Sequence, residues 1–337
     1  MENHLHLLAN VRRVRGRTAP VAKTGEPVNA FVLPAFDVPP VLADVPKPEA
    51  GPGQVLVRVR AASVNGFDLS VAAGRLKGML PYDFPVTLGK DFAGTVEAVG
   101  PDVTSFAVGD RVFGVVSDPS PLSSRSFAEY LAVPAEGNVA RVPEGVDLAA
   151  AGVLGLAGSA AIEAVDAIAP AAGQTVLISG ATGGVGAYAI QLAAARGATV
   201  IATARPDSAG FVLGLGAAHE VDFTGDVIAQ VRAIRPDGVD AILHFAGDGA
   251  LLGSLLVAGG RLASTQIMSP DQLPLPDAQV TAVFASSSTA SLDRLAAEVA
   301  AGRVKTSIQR TFALDQVGDA FAAFTAGTRG KLAIAIS

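Results

Sequence analysis

From residue 30 onward the hydrophobic positions follow two different rhythms. In the first, "QVLVRVRAASV" (residues 54–64) alternates Val55, Val57 and Val59 with polar partners, the period-two pattern of a half-buried strand. "PVTLGKDFAGTVEAVGPDV" and "VGDRVFGVV" continue in short β-rich runs broken by Gly and Pro. "SFAEYLAVPAEGNVARVP" carries that texture to about Pro143. These runs predict antiparallel β structure approaching a partial barrel. From about Leu148 the rhythm changes. Residues 148–168 predict one helix, and then apolar strands alternate with helical runs: "TVLISG", "TVIATA", "AHEVDF", "VDAILHFAG", "GGRLAST" and "QVTAVFASS". Such alternation predicts a doubly wound α/β layer, a parallel sheet with helices on both faces. After Ser288, a helix near residues 291–301, the run "KTSIQRTFAL", another helix and the strand "KLAIAIS" return to the first rhythm.

Between the strand "TVLIS" and the following helix lies Ala181-Thr182-Gly183-Gly184-Val185-Gly186, a G-x-G-x-x-G variant with alanine first. Such a turn lets backbone approach a pyrophosphate, which rests on the helix N-terminal amides. Strand, turn, helix and second strand occur in the order a dinucleotide fold requires. Val185, Tyr188, Ala189 and Leu192 fall at helical spacing and are expected to face the sheet. An NAD site commonly carries an acid at the end of the second strand, to hold the ribose hydroxyls. The position here is Ala204, 23 residues after Ala181, and Arg205 follows it, with Ser208 nearby as a neutral donor. An arginine accommodates a 2′-phosphate where an acid would repel it, so the pattern points to NADPH. A solvated surface charge is the alternative for Arg205.

At 337 residues, 50% hydrophobic, the chain is too long for one ordinary core and implies about two domains. The formal net charge of −6 is scattered, with no basic stripe for nucleic acid. Cysteine is absent, which removes disulfides, thiolate catalysis and cysteine-ligated zinc. The longest uncharged run, residues 167–195, is interrupted by Pro170, Gly173, Gln174, Gly180, Gly183 and Gly184; strand, turn and helix account for it better than a membrane span. Residues 1–27 carry Arg12, Arg13, Arg15, Arg17 and Lys23 without a long apolar segment. They read as a disordered arm, with a targeting leader as the alternative. A cytoplasmic protein is expected.

With the turn and its neighbours in place, the chain resembles the zinc-free quinone oxidoreductase-like branch of the medium-chain dehydrogenase/reductase superfamily. The resemblance is carried in order by "GPGQVLVRVRAASVNGFDLSVAAGRL", "PVTLGKDFAGTVEAVGPDV", "FAVGDRVFGV", "GQTVLISGATGGVGAYAIQLAAARGATVIAT", "LGAAHEVDF" and "RGKLAIAI". It implies a GroES-like catalytic domain built from residues 28–150 and 289–337, with a Rossmann NADP-binding domain, residues 151–288, inserted between them. It also implies a homodimer joined at sheet edges, for which residues 279–286 supply a short apolar strand. Zinc members carry a histidine in a G-H-E element that here reads Gly89-Lys90-Asp91, so no metal is expected.

The resemblance places Asn65, in "SVNGFD", beside the nicotinamide, where it would hydrogen-bond substrate or cofactor; a loop-stabilising asparagine is the alternative. Asp68, one turn on, is expected to cap a helix. His244, at the end of "DAILHF", stands where relatives often carry aspartate, either against the cofactor or as a hydrogen-bonded structural residue. Lys90 and Asp91 form a candidate ion pair, and Tyr82 and Tyr130 are candidates for cleft lining or packing. The chain has Leu69-Ser70-Val71 and Phe223 where quinone reductases of this type often carry tyrosines. The expected activity is metal-independent hydride transfer from NADPH to a quinone or α,β-unsaturated carbonyl. An enoyl-thioester reductase and a non-catalytic nucleotide-binding protein are the alternatives.

Overall fold

The computed structural model describes residues 26–117 and 121–337. All but the last two residues of the expected N-terminal arm lie outside it. The β-rich part comprises β1 (Pro27–Leu33), β2 (Val41–Pro46), β3 (Gln54–Ser63), the short helix α1 (Gly66–Ala72), β4 (Val86–Thr87), β5 (Asp91–Val99), β6 (Arg111–Val115), β7 (Tyr130–Pro134) and β8 (Val139–Arg141). Strand β3 organises it. One edge pairs antiparallel with β5 over most of its length. The other edge is divided: residues 54–58 pair with β7, and residues 61–63 pair with the chain's last strand. Val55, Val57 and Val59 are buried as expected, but Leu56 and residues 61–63 are buried too, because this central strand is covered on both faces over most of its length and exposes only Arg58.

Two helices, α2 (Leu148–Ala151) and α3 (Gly155–Ile168), lead into the second part. There β9 (Thr175–Ser179), α4 (Gly184–Ala195), β10 (Thr199–Ala204), α5 (Ala209–Gly214), β11 (His219–Asp222), α6 (Val227–Ile234), β12 (Val239–His244), α7 (Gly249–Gly253), β13 (Leu256–Ser264) and β14 (Ala278–Ala282) build a parallel sheet. Its order is β11-β10-β9-β12-β13-β14, the doubly wound arrangement. The order reverses between β9 and β12, so a crevice opens beyond their C-terminal ends. Tyr188, Ala189 and Leu192 of α4 are buried in the core, and the Tyr188 hydroxyl donates to the Val153 carbonyl at 3.0 Å. Finally α8 (Thr289–Ala300) packs Leu292, Leu295 and Ala296 into the core it shares with α3, and β15 (Ile308–Ala313), α9 (Val317–Thr325) and β16 (Lys331–Ala335) rejoin the first part.

The single helix expected over residues 148–168 is broken at residues 152–154. The cause is tertiary. A Cβ on Gly152 would lie 2.7 Å from the Ala61 Cβ, and one on Gly155 would lie 2.7 Å from Asp91 Oδ1. That oxygen accepts the Leu156 backbone N–H at 2.7 Å, capping α3 from another strand. Helix propensity favours Ala over Gly by about 0.5–1 kcal/mol, but overpacking a tight site costs about 1–3 kcal/mol. We therefore expect Gly155→Ala to lower the urea midpoint. Gly210→Ala in α5, where a Cβ would meet nothing within 4 Å, should raise it. A stabilised Gly155→Ala protein would contradict the packing account.

Candidate functional site

The crevice beyond β9 is built on glycine. Gly180, just after the strand, has φ +68°, a left-handed turn that favours glycine. Gly183 caps α4, and a Cβ on Gly186 would stand 2.4 Å from the Gly180 carbonyl oxygen. The working spacing is thus Gly180, Gly183 and Gly186. Gly180 stands one residue before the motif Ala181–Gly186 and adds the left-handed turn that leads into it. The first-turn amides of Gly184 and Val185 have no intrahelical acceptor, so they can serve an anion. The Thr182 carbonyl accepts the Gly330 N–H at 2.7 Å, tying the turn to the β-rich part.

Beside this junction lies a buried polar cluster. Asp91, at the start of β5, is fully buried. Its Oδ1 takes the Leu156 N–H, and its Oδ2 accepts from Ser63 Oγ (2.5 Å), Asn65 Nδ2 (2.9 Å) and Lys331 Nζ (3.4 Å). Lys331 Nζ also donates to Asn65 Oδ1 (2.6 Å) and the Val64 carbonyl (3.1 Å). Its stem packs against the glycine turn, 2.5 Å from where a Cβ on Gly184 would be. Burial pulls the Lys331 pKa down, and Asp91 and Asp68 oppose it. Both ends of the Asn65 carboxamide are therefore held by protein groups, which gives this residue a bracing role. Asp91 takes its cation from Lys331, not from the adjacent Lys90 as expected. Lys90 Nζ instead stands 4.4 Å from the Phe67 ring centroid, and the Arg125 guanidinium 4.9 Å from the same ring.

At the far end of the crevice, Arg205 follows β10 and its guanidinium stands 5.6 Å from the Phe223 ring centroid. Arg329, from the last loop, reaches across to donate to the Asp207 carbonyl at 3.3 Å. Two exposed cations from opposite parts of the chain thus share one turn. Ser208 is buried, and its hydroxyl donates to Asp207 Oδ1 at 2.9 Å. Arg329 and Asp207 were not singled out from sequence, because nothing local links "TRGKL" to the turn after β10.

Family profiles match at two places: "Alcohol dehydrogenase GroES-like domain" over residues 51–144 and "Zinc-binding dehydrogenase" over residues 215–334. The chain is 35% identical over 243 residues to a quinone oxidoreductase from Sus scrofa, covering 70% of this chain and 71% of that one. It belongs to the quinone oxidoreductase-like branch of the medium-chain dehydrogenase/reductase superfamily. The structure of the quinone oxidoreductase from Coxiella burnetii superposes with a TM-score of 0.84 at 27% identity, covering 93% of this chain and 100% of that one. The CurK enoyl reductase shares the fold, with a TM-score of 0.79 at 23% identity over 92% of this chain and 99% of that one. Members of this superfamily are oxidoreductases that bind a nicotinamide cofactor, and the glycine turn with its open amides fits one here.

Among the described residues no group of three or more His, Cys, Asp or Glu is placed to hold a metal ion. No helix there is long and apolar enough to cross a membrane. His244 lies at the end of β12, but both its ring nitrogens are engaged. Nε2 faces the Gly247 carbonyl at 3.1 Å and so carries the proton, while Nδ1 meets Ser264 Oγ at 2.9 Å. This is the hydrogen-bonded structural arrangement. Tyr82 packs between Phe36 and Phe84, with centroids 4.8 and 5.5 Å away, and the Tyr130 ring carries Lys47 at 3.9 Å. Both tyrosines serve packing.

Asp68 caps α1 as expected, its Oδ2 accepting the Asn65 N–H at 2.9 Å. It is only 1% exposed, and its Oδ1 has no hydrogen-bond partner. Burial pushes its carboxyl up to about 7, with Asp91 adding to the rise and the Asn65 N–H, Arg125 and Lys331 opposing it. In the unfolded chain the same group ionises near its ordinary value of 3.8. The unfolded state therefore loses its proton first, and the folded protein loses stability as pH rises from about 4 to 7. We expect Asp68→Asn to be the more stable protein at pH 8 by about 2–4 kcal/mol. The advantage should shrink to about half at pH 5. Urea melts of both proteins at the two pH values test this; an equal difference at both would contradict it.

Proposed function

We propose that the protein is an NADPH-dependent reductase of quinones or other conjugated carbonyls. The observation that carries the cofactor choice is the turn after β10. Ala204 stands where an NAD site would place an acid, and Arg205 and Arg329 flank the same turn. Phe223 supports Arg205 from the end of the neighbouring strand. Two acids lie near that turn: Asp207, whose carboxylate accepts from the Ser208 hydroxyl and whose backbone carbonyl accepts from Arg329, and Asp222, paired with Ala204 on the neighbouring strand.

Bound NADPH supplies a hydride to the acceptor. The chain's own residues do the positioning. The amides of Gly184 and Val185 hold the pyrophosphate, and the arginines hold the 2′-phosphate. Lys331 and Asp91 fix the carboxamide of Asn65 and lock the glycine turn against the β-rich part. The quinone reading of the acceptor rests on the branch to which the chain belongs. A homodimer through the exposed edge of β14 accompanies it, because β14 ends the sheet and Phe284 beyond it is 62% exposed.

A charge-assisted hydrogen bond to the 2′-phosphate is worth about 1.5–3 kcal/mol. Arg205→Ala should therefore weaken NADPH binding about ten- to more than a hundredfold, since about 1.4 kcal/mol is one decade. Arg329→Ala should act in the same direction. Neither change should alter NADH binding much. Dissociation constants for both cofactors, with kcat/KM over a panel of quinones, enones and an enoyl thioester, decide the matter. Equal losses for NADH and NADPH would show that the arginines serve the fold; a wild type preferring NADH would refute the cofactor choice. Light scattering checks the assembly, and a monomer at micromolar concentration would refute the edge-paired dimer.

A further inference from the structure

Arg329 meets the turn after β10 from a loop, and an arginine on an unanchored loop has many directions in which to point. What anchors it lies in β15. In the parallel pairing of β15 with β16, Ile308 stands opposite Lys331 and Arg310 opposite Leu332, so Gln309 is an extra residue in the ladder. Such a bulge re-aims a side chain, and bulges of this kind gather beside functional sites. Here the re-aimed group is the Gln309 carboxamide, whose Oε1 accepts the Arg329 backbone N–H at 2.7 Å. The next two amides are held as well. The Thr182 carbonyl accepts the Gly330 N–H at 2.7 Å, and the Ser307 carbonyl accepts the Lys331 N–H at 2.7 Å. Gly330 has φ +85°, and a Cβ there would stand 2.2 Å from the Ser307 carbonyl oxygen, so the loop turns on glycine. Of these three consecutive amides, only that of Arg329 is held by a side chain.

We propose that Gln309 is a positioning residue for cofactor discrimination: by anchoring the Arg329 backbone, it sets that arginine at the turn after β10, ready for a 2′-phosphate. This rests on the NADPH reading above. Arg329 Nη1 donates to the Asp207 carbonyl at 3.3 Å, a long bond to a neutral acceptor. A phosphate is the stronger acceptor, because a hydrogen bond to an anion is charge-assisted. The guanidinium can therefore exchange the carbonyl for the phosphate while its backbone stays where Gln309 holds it. Arg205 needs no such anchor, since it directly follows a strand of the parallel sheet. Arg329 comes from the β-rich part and serves the same turn only while residues 307–309 hold its loop at the junction. Gln309 acts through Arg329 and touches no cofactor atom itself. NADH offers no 2′-phosphate, so the anchor is felt with NADPH alone.

A double-mutant cycle read in cofactor selectivity tests this. Dissociation constants for NADPH and NADH are measured on wild type, Gln309→Ala, Arg329→Ala and the double variant. Gln309 is exposed, so its replacement should leave the fold intact. Loss of one neutral hydrogen bond should weaken NADPH binding to Gln309→Ala about three- to tenfold. NADH binding should be unchanged. In the Arg329→Ala background the same replacement should change neither cofactor, because the residue through which it acts is gone. Gln309→Met, which keeps the side-chain length but not the acceptor, should behave as Gln309→Ala; wild-type behaviour would overturn the anchor. Equal losses for NADPH and NADH in Gln309→Ala, or a loss that persists undiminished without Arg329, would overturn it by showing a purely structural role. If Arg329→Ala weakens NADPH while Gln309→Ala does not, the anchor is overturned and the cofactor reading stands. A wild type that prefers NADH would overturn both.

Discussion

The buried carboxylate of Asp91 is the constraint on which the rest of the structure depends. A lone carboxylate at zero exposure would be prohibitively unstable. Here it accepts from the end of β3, the start of α1, the first strand residue of β16 and the first turn of α3. Three stretches far apart in sequence, residues 63–65, Leu156 and Lys331, must meet on Asp91 for that one charge to be satisfied. The same requirement interrupts the helix at residues 152–154, demands glycine at 155 and draws Lys331 across Gly184. Electrostatic satisfaction thus sets the relation between the glycine turn and the β-rich part, while apolar packing alone would leave it loosely specified.

That relation matters because the site is divided. The glycine turn and Arg205 belong to the parallel sheet, whereas Asn65, Asp68, Lys331 and Arg329 come from the β-rich part. Hydride transfer needs reacting atoms held to a few tenths of an ångström. Hydrogen bonds crossing the junction, from Gly330 to Thr182, Leu156 to Asp91 and Arg329 to Asp207, provide that precision. Replacing G-H-E by Gly89-Lys90-Asp91 leaves the acid of that element as the structural centre, serviced by a lysine 240 residues away.

Much of this was legible in the sequence, for physical reasons that can be named. Period-two alternation located β3, and apolar runs between helical stretches located β9, β10 and β12, because burial on one face or two imposes those patterns. The glycine turn showed itself because only glycine tolerates that backbone approach. What stayed hidden is what depends on distant partners. Nothing in the spacing of "LGKDF" announces that Asp91 pairs with Lys331 and not Lys90. Arg329 lies in an unremarkable loop until β16 brings it to the turn after β10. The break at Gly152 and Gly155 in the helix expected over residues 148–168 also depends on partners distant in sequence, Ala61 and Asp91. The engagement of both ends of Asn65 is likewise a fact of three dimensions.

The central claim is that Asp91 and Lys331 act as one unit joining the two parts. A double-mutant cycle of Asp91→Asn and Lys331→Met, read by urea unfolding, tests it most directly. Each single change leaves a buried charge or donor without its partner and should cost about 3–5 kcal/mol. The double change should cost clearly less than the sum of the two, with a coupling of about 1–3 kcal/mol. Additive losses, with no coupling between the two positions, would contradict the account.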